Sequence, residues 1–146
     1  MSKTTSGGTA STGAAKGRNI LQSKERALLC AAYALEKKAF DLRVLEVRGI
    51  STLTDYLVIA SGRSDRQVQA VAESIRLGLK KDHDTPALAV EGTQEGRWVL
   101  IDFGDVMVHV FQVPVREFYD LDGLWSEAEE IPVPEEYHRE REAGAE

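Results

Sequence analysis

The sequence predicts an α/β fold in which a mixed five-stranded sheet is flanked by helices. Helical and strand-like hydrophobic patterns alternate along residues 22–125. The stretch "YLVIA" is wholly apolar, which is typical of a strand that is buried on both faces. A length of 146 residues and an apolar content of 42% suit one domain with one core.

The first predicted elements are a helix and two strands. Ser23 can cap a helix whose apolar stripe continues until Phe40 and the following acid end it. "LRVLEVRG" is a short strand that Gly49 ends, and "DYLVIASG" is the second strand. Cys30 is the only cysteine, so no intrachain disulfide can form, and we expect it to be a small core residue of the helix.

The clearest helix signal follows the second strand. Ser64 and Gln67 form an S-x-x-Q capping box. A single apolar stripe follows at helical spacing and consists of Val68, Val71, Ala72, Ile75 and Leu79. "ALAV" is the third strand, and "GRWVLIDFGDVMVHVF" supplies the fourth and fifth. A short helix or turn from Arg116 to Trp125 packs its aromatic side chains on the sheet, which completes the order α-β-β-α-β-β-β-α.

Both ends of the chain lie outside this domain and are predicted to be disordered. Residues 1–21 are rich in Gly, Ser, Thr and Ala, and they lack both the apolar segment of a secretory signal and the arginine-rich amphipathic stretch of an organelle transit peptide. Residues 126–146 carry eight acids and two arginines and read as an acidic tail. No apolar run reaches the ~20 residues that cross a membrane. We therefore expect a cytoplasmic protein.

The charge balance limits the kinds of partner. The chain has a net charge of −6, and its central part is mildly acidic. Proteins that bind nucleic acids through phosphates present basic surfaces, because cations on the protein replace the counterions of the backbone. The sequence therefore predicts little direct nucleic-acid contact and favours a protein partner.

The predicted hairpin of the fourth and fifth strands has two unlike faces. If Gly104 and Asp105 form a two-residue turn, alternation of side chains gives one wholly apolar face that packs on the helices. This face consists of Val99, Ile101, Phe103, Val106, Val108 and Val110. The other face carries Trp98, Leu100, Asp102, Met107, His109 and Phe111. This composition is typical of a protein interface, but a helix could equally cover it, with His109 hydrogen-bonded inside. The pattern does not decide between the two.

Catalysis and ligand binding find little support in the sequence. Asp102 and Asp105 straddle a turn with no second histidine nearby, so we assign no catalytic residue and no metal site. Residues 61–67, "SGRSDRQ", could bind an anion at the start of a helix, but they match neither the P-loop nor the dinucleotide pattern, and a capped helix needs no ligand. No cofactor is expected.

The motifs together resemble a known family. They are S-x-x-x-D-Y-x-V-I-A-S-G at Ser51–Gly62, E-G at Glu91–Gly92, W-x-x-x-D-x-G-D-x-x-V-H-x-F at Trp98–Phe111 and Y-x-L-x-x-L-W at Tyr119–Trp125. Over residues 22–125 the chain closely resembles the ribosomal silencing factor family, also called Iojap-like or RsfS. It departs from that pattern at Asp122–Gly123, where members usually carry Glu and a larger residue, a change that can loosen the last helix.

The resemblance implies both a fold and a function. The fold would be similar to that of nucleotidyltransferases but without their catalytic carboxylates. The protein would bind protein fourteen of the large ribosomal subunit, block joining of the small subunit and lower translation when nutrients are scarce. The alternative hypothesis is a nucleotidyltransferase-like enzyme or nucleotide-binding protein. A homodimer of the free protein would suit a large apolar and aromatic face.

The resemblance also implies a contact surface on the hairpin. Trp98 and Phe103 would be apolar anchors, and Asp102 and Asp105 would accept hydrogen bonds from basic groups of the partner. The whole expected partner-binding set is Trp98, Asp102, Phe103, Gly104, Asp105 and Met107. One conflict follows, because the register derived above places Phe103 on the core face.

Overall fold

The computed structural model describes residues 20–138, which form a mixed sheet with helices on both faces. The predicted α/β class is confirmed. The predicted leader lies outside the described residues except for its last two, as do residues 139–146 of the predicted tail. The elements are α1 (Ile20–Glu36), β1 (Phe40–Glu46), β2 (Tyr56–Gly62), α2 (Asp65–His83), β3 (Ala89–Glu91), β4 (Trp98–Asp102), β5 (Val106–Gln112), α3 (Val113–Tyr119), α4 (Leu121–Leu124) and β6 (Glu129–Ile131).

The centre of the sheet is formed by β2 and β5. The strand order is β3-β4-β5-β2-β1-β6, and β2 runs parallel to β5 with Tyr56 opposite Val106. The neighbouring pairs β4–β5 and β1–β2 are antiparallel. Every residue of β2 is buried, as its apolar sequence predicts, because β2 has strands on both sides and helices on both faces.

Helix α2 packs on the first face of the sheet in the predicted way. All five residues of its apolar stripe are buried in the main core, which also contains the apolar side of α1. Ser64 is the N-cap, and its hydroxyl accepts a hydrogen bond from the Gln67 N–H at 3.1 Å. The Gln67 side chain accepts in turn from the Arg63 N–H at 2.6 Å. Reciprocal bonds of this kind satisfy donors that a helix start leaves without partners.

Helix α1 differs from its prediction at both ends. It begins at Ile20, so Ser23 is not its cap but a buried residue of its first turn. The Ser23 hydroxyl donates instead to the Asp105 carboxylate at 2.7 Å. That partner lies 82 residues away, beyond the reach of a local pattern. The helix ends at Glu36, and Lys38 adopts a left-handed conformation with φ of 65°.

The second face of the sheet is partly covered by the short helices α3 and α4. A smaller core forms there from Leu45, Val47, Leu57, Ile59 and Phe111, with Val115, Leu121 and Trp125 packed against it. Phe118, Tyr119 and Leu124 are exposed, so the prediction that this segment packs its aromatic side chains on the sheet is wrong for Phe118 and Tyr119. Helices of seven and four residues present only one side to a sheet, and the other side faces solvent.

The sheet has six strands, which corrects the expected number of five. The sixth, β6, pairs antiparallel with β1 and belongs to the segment that we predicted to be an acidic tail. Ile131 is buried in the main core, and the Arg43 guanidinium binds the Glu130 carboxylate at 2.9 Å. This strand lacks a hydrophobic pattern in the sequence, because only Ile131 is buried whereas Glu129 and Glu130 are exposed to solvent.

The first testable prediction concerns β6. Ile131→Ala should lower the free energy of unfolding by about 2–4 kcal/mol, because the substitution leaves a cavity in the main core. Urea denaturation followed by circular dichroism measures the change. Glu129→Ala, at an exposed position of the same strand, should stay within about 0.5 kcal/mol of the unmodified protein. Equal stability of the two variants would show that β6 adds nothing to the core.

Candidate protein-binding site

The β4–β5 hairpin has the register that the sequence predicts. The Phe103 N–H donates to the Val106 carbonyl at 2.9 Å across the two-residue turn, and Gly104 has a φ of 93°, a conformation that favours glycine. The predicted cross-strand pairs all occur: Trp98 with Phe111, Leu100 with His109, Ile101 with Val108, and Asp102 with Met107. Trp98 and Met107 therefore lie on the second face of the sheet.

The six residues expected to bind a partner do not share one surface. Trp98, Asp102 and Met107 are half-buried on the second face. Phe103 is only 7% exposed and lies in the main core on the opposite face, as the register predicts. Direct contact between its ring and a partner would require the ring to leave the core. The predicted register is thus confirmed at Phe103, and its role as a partner contact stays a prediction.

Asp105 is also directed inward, toward α1. One oxygen of its carboxylate accepts hydrogen bonds from the Ser23 hydroxyl and from the Arg26 guanidinium. The side chain is 9% exposed, and its second oxygen is buried without a hydrogen-bond partner within residues 20–138. The basic group that the resemblance assigns to a partner is therefore supplied here by Arg26 of the same chain.

The hairpin turn is fixed from three directions. The Asp105 carbonyl accepts from the N–H groups of Asp55 and Tyr56, each at 3.1 Å, which ties the turn to the start of β2. The Asp102 carboxylate accepts from the Gly104 N–H at 2.8 Å. Together with the bonds from α1, these contacts hold the turn in one conformation. A surface built beside this turn is consequently rigid.

A continuous set of five ring side chains lies beside the hairpin, and we call it the aromatic row. Trp98 is at its centre, with ring centroids 4.8 Å from Phe111 and 4.9 Å from Tyr119. Phe118 contacts Tyr119 at 5.0 Å, and His109 lies 6.0 Å from Trp98. These distances are within the range at which aromatic rings attract one another.

The aromatic row runs from the core to the solvent. Phe111 is fully buried, Trp98 is half-buried, Tyr119 is 56% exposed and Phe118 is 79% exposed. A cleft of about 340 Å³ opens between Trp98 and Tyr119, with Glu95 and Arg97 at its margin. Large aromatic side chains that are anchored in a core yet reach solvent are the residues that contribute most to protein interfaces.

His109 is the one polar member of the aromatic row. The Trp98 indole N–H donates to its Nδ1 at 3.1 Å. Because Nδ1 accepts, the neutral ring carries its proton on Nε2. Burial lowers the pKa of His109 to about 4, so the ring is neutral at pH 7. His109 is thus hydrogen-bonded inside the second face, which the sequence had left as one of two open alternatives.

Sequence reasoning missed the contribution of α3 to this site. Phe118 and Tyr119 were assigned to packing on the sheet, whereas they extend the aromatic row into solvent. Their position is set by the start of α3 at Val113, directly after β5. The end of β5 contains Phe111, which pairs with Trp98. The usable signal was Pro114, because proline is favoured in the first turn of a helix.

Several polar side chains of the loop at residues 61–67 already have partners within the chain. Ser61 is buried, and its hydroxyl accepts from the Arg116 guanidinium at 2.7 Å. Ser64 and Gln67 cap α2, as described above. The Arg63 guanidinium lies over the Phe40 ring at 4.6 Å. The side chains of Ser61, Ser64 and Gln67 are therefore used within the chain.

Asp122 occupies the position at which the sequence departs from the family pattern. Its carboxylate accepts from Arg116 at 2.9 Å and from Arg43 at 3.0 Å. The hydrogen bonds from Arg116, with further help from Arg43, lower the pKa of Asp122 to about 2 against the opposing effect of burial. A Cβ at Gly123 would lie 2.2 Å from the Asp120 carboxylate, which would have to move to accommodate it. Asp122 is thus held by two arginines, and the expected loosening of the last helix stays a prediction.

Residues 20–138 contain neither a metal-binding cluster nor a membrane-spanning helix. No group of three or more His, Cys, Asp or Glu side chains is arranged to hold a metal ion in this part of the chain. None of its helices has the length and apolar character needed to span a membrane.

The fold and the site define an α/β binding domain that presents aromatic side chains beside a rigid hairpin turn. Residues 20–146 match the family described as "Ribosomal silencing factor during starvation". Ribosomal silencing factor RsfS of Bacillus subtilis is 42% identical over 100 residues, which are 68% of this chain and 84% of that protein. The chain belongs to the ribosomal silencing factor family, whose name implies translational regulation.

Two other relatives agree with this assignment. The chloroplastic protein Iojap of Zea mays is 35% identical over 115 residues, which are 78% of this chain and 49% of that protein. A crystal structure of a protein from Chromobacterium violaceum superimposes with a TM-score of 0.69 at 35% identity, covering 70% of this chain and 85% of that one. The resemblance found in the sequence is confirmed, and so is the fold that it shares with solved structures.

The second testable prediction concerns the anchoring of the turn. Arg26→Ala should lower the free energy of unfolding by about 2–4 kcal/mol, because it leaves the Asp105 carboxylate buried without its cation. Arg76→Ala is the matched control, since it removes a salt bridge with Glu73 on the surface of α2 and should cost at most about 0.5 kcal/mol. Urea denaturation compares them. Equal losses would show that the Arg26–Asp105 contact is no stronger than a surface pair.

The third prediction concerns pH. The folded pKa of His109 is about 4 and its ordinary value is 6.5, so the unfolded chain binds the proton more strongly. The contribution of neutral His109 to the free energy of unfolding is therefore fully present above about pH 6.5. It is lost as the pH falls toward 4, by about 3 kcal/mol in total. His109→Leu should show a flatter profile in urea denaturation between pH 7 and 4.5. The loss linked to Asp122 begins below its ordinary pKa of 3.8 and lies outside this window. An unchanged profile would contradict the assignment to His109.

Proposed function

We propose that this protein binds the large ribosomal subunit through its protein fourteen and sterically blocks joining of the small subunit. Translation is thereby repressed under nutrient limitation. The protein acts as a binding factor in the bacterial cytoplasm and not as an enzyme. Family membership supports the ribosomal role, and the aromatic row is the observation that carries the choice of surface.

The contact surface in this proposal is centred on Trp98. Met107 and Asp102 adjoin it on the hairpin, and Phe118 and Tyr119 extend it along α3. Trp98 rests on buried Phe111, so little side-chain freedom is lost when a partner covers the indole. A large aromatic group that is ordered before binding favours affinity for that reason.

The remaining residues of the expected set act through the turn. Phe103 anchors the turn in the main core, Gly104 permits its conformation, and Asp105 ties it to α1. They position Trp98 and Met107 without contacting the partner themselves. This division of roles follows from burial, since a buried side chain cannot add contact area without first leaving the core.

The charge of the protein favours a protein component of the ribosome over its RNA. A chain with a net charge of −6 is repelled by RNA phosphates at long range, whereas a basic ribosomal protein attracts it. The same exposed aromatic side chains could pair two copies of the free protein. In the proposal such a homodimer competes with ribosome binding, because both use one surface.

The fourth prediction tests the surface. Trp98→Ala should weaken binding to isolated large subunits at least tenfold, because truncation of a central interface aromatic costs ~2 kcal/mol or more. Co-sedimentation in sucrose gradients measures the binding, and light scattering after addition of small subunits measures the block of joining. Arg76→Ala, on a helix that packs against the opposite face of the sheet, is the control and should bind normally.

The outcomes separate the parts of the proposal. Normal co-sedimentation of a folded Trp98→Ala variant would refute the surface assignment. Absence of co-sedimentation by the unmodified protein would refute ribosome binding itself. Co-sedimentation without any effect on subunit joining would refute the steric mechanism.

A further inference from the structure

We propose that His109 is a positioning residue that fixes the orientation of the Trp98 indole on the binding surface. This inference rests on the proposed function, in which Trp98 is the central contact. It assigns to His109 a role in binding that is distinct from a contribution to stability.

The geometry around Trp98 supports this role. Its ring is stacked on Phe111 and Tyr119 at tilts of 32° and 46°, and contacts of this kind tolerate rotation and sliding of the indole. The hydrogen bond from the indole N–H to His109 Nδ1, at 3.1 Å, is directional. It therefore selects one orientation among those that stacking alone would allow.

The surroundings of His109 show that stability does not explain a histidine there. The residue is 8% exposed, and it lies opposite Leu100 on β4 and beside Ile59 on β2. Burial disfavours the charged imidazole and lowers its pKa. The neutral ring also places polar nitrogens among aliphatic and aromatic side chains, which costs free energy unless these nitrogens are hydrogen-bonded. A leucine at this position would continue the apolar face. The feature that leucine lacks is the acceptor for the indole.

Loss of the acceptor would change the orientation of Trp98 more than its burial. Trp98 is half-buried, so its N–H can turn to water when His109 no longer accepts it. The indole then samples further rotamers, and a partner must select the productive one. That selection lowers the apparent affinity in proportion to the population of the productive rotamer.

Two nearly isosteric variants separate the acceptor from the rest of the side chain. His109→Leu removes the acceptor, and His109→Asn places an amide oxygen near the position of Nδ1. Both are made in a Trp125→Phe background, in which Trp98 is the only tryptophan of the chain. In ¹⁵N-labelled free protein, the single indole N–H signal should shift and exchange faster with water in His109→Leu. It should return toward its original position and protection in His109→Asn.

Binding to large subunits should follow the indole signal and not the stability. We expect His109→Leu to unfold at the same or higher urea concentration than its parent and to bind about three- to tenfold more weakly, the range of one hydrogen bond. His109→Asn should recover most of the affinity although it is less stable. A merely structural role of His109 would give the opposite order of affinities.

A second pair of variants keeps the test decisive if His109→Asn does not fold. Trp98→Phe lacks the indole N–H, so adding His109→Leu to it should cause no further loss of binding. An equal loss in both backgrounds would overturn the proposal, as would an unchanged indole signal with unchanged affinity in His109→Leu. Failure of the unmodified protein to bind subunits would refute the proposed function, whereas the indole signal alone would still decide whether His109 orients Trp98.

Discussion

The two-residue turn at Gly104–Asp105 is the constraint on which both faces of the sheet depend. Side chains alternate along a strand, so a slip of one residue in the hairpin would exchange the apolar face of β4 with the face that carries Trp98. The turn resists such a slip because its backbone is bonded to the start of β2 and its carboxylate to α1. Register, core and binding surface are thus set by one short segment.

As a consequence, the side chains of the candidate site are positioned by rigid elements of the fold. Trp98 and Met107 project from strands at the middle of the sheet, and Tyr119 projects from a helix that begins where β5 ends. In the aromatic row, the exposed rings pack against rings that are themselves held in the core. Such a surface needs little rearrangement to bind, which suits a partner that must be recognised by shape.

Local patterns predicted the parts of the fold that local physics determines. The capping box at Ser64, the apolar stripe of α2 and the uniform burial of β2 each depend on residues within one element. The hairpin register depends on turn chemistry and alternation, and it too was predicted pair by pair. From the sequence it was therefore possible to place three ring side chains of the site on one face of the hairpin, namely Trp98, His109 and Phe111.

The features that the sequence did not reveal depend on distant partners. Arg26 and Ser23 bind one oxygen of Asp105 across 79 and 82 residues, and nothing near any of the three residues indicates the pairing. β6 is a strand because β1 offers it an edge, not because of its own composition. Tyr119 joins Trp98 only because α3 turns back over the second face of the sheet. Tertiary context outweighs local preference at each of these positions.

The parallel pairing of β2 with β5 also has a consequence for how the chain folds. β5 is the central partner of β2 and β4, yet it is among the last strands to be synthesised. The pairing joins residues about fifty positions apart, and closing a loop of that length costs entropy before any contact repays it. We expect the nascent chain to stay without a stable core until residue 112 has left the ribosomal exit tunnel. The protein would then fold late and in one step, close to the particle on which it is proposed to act.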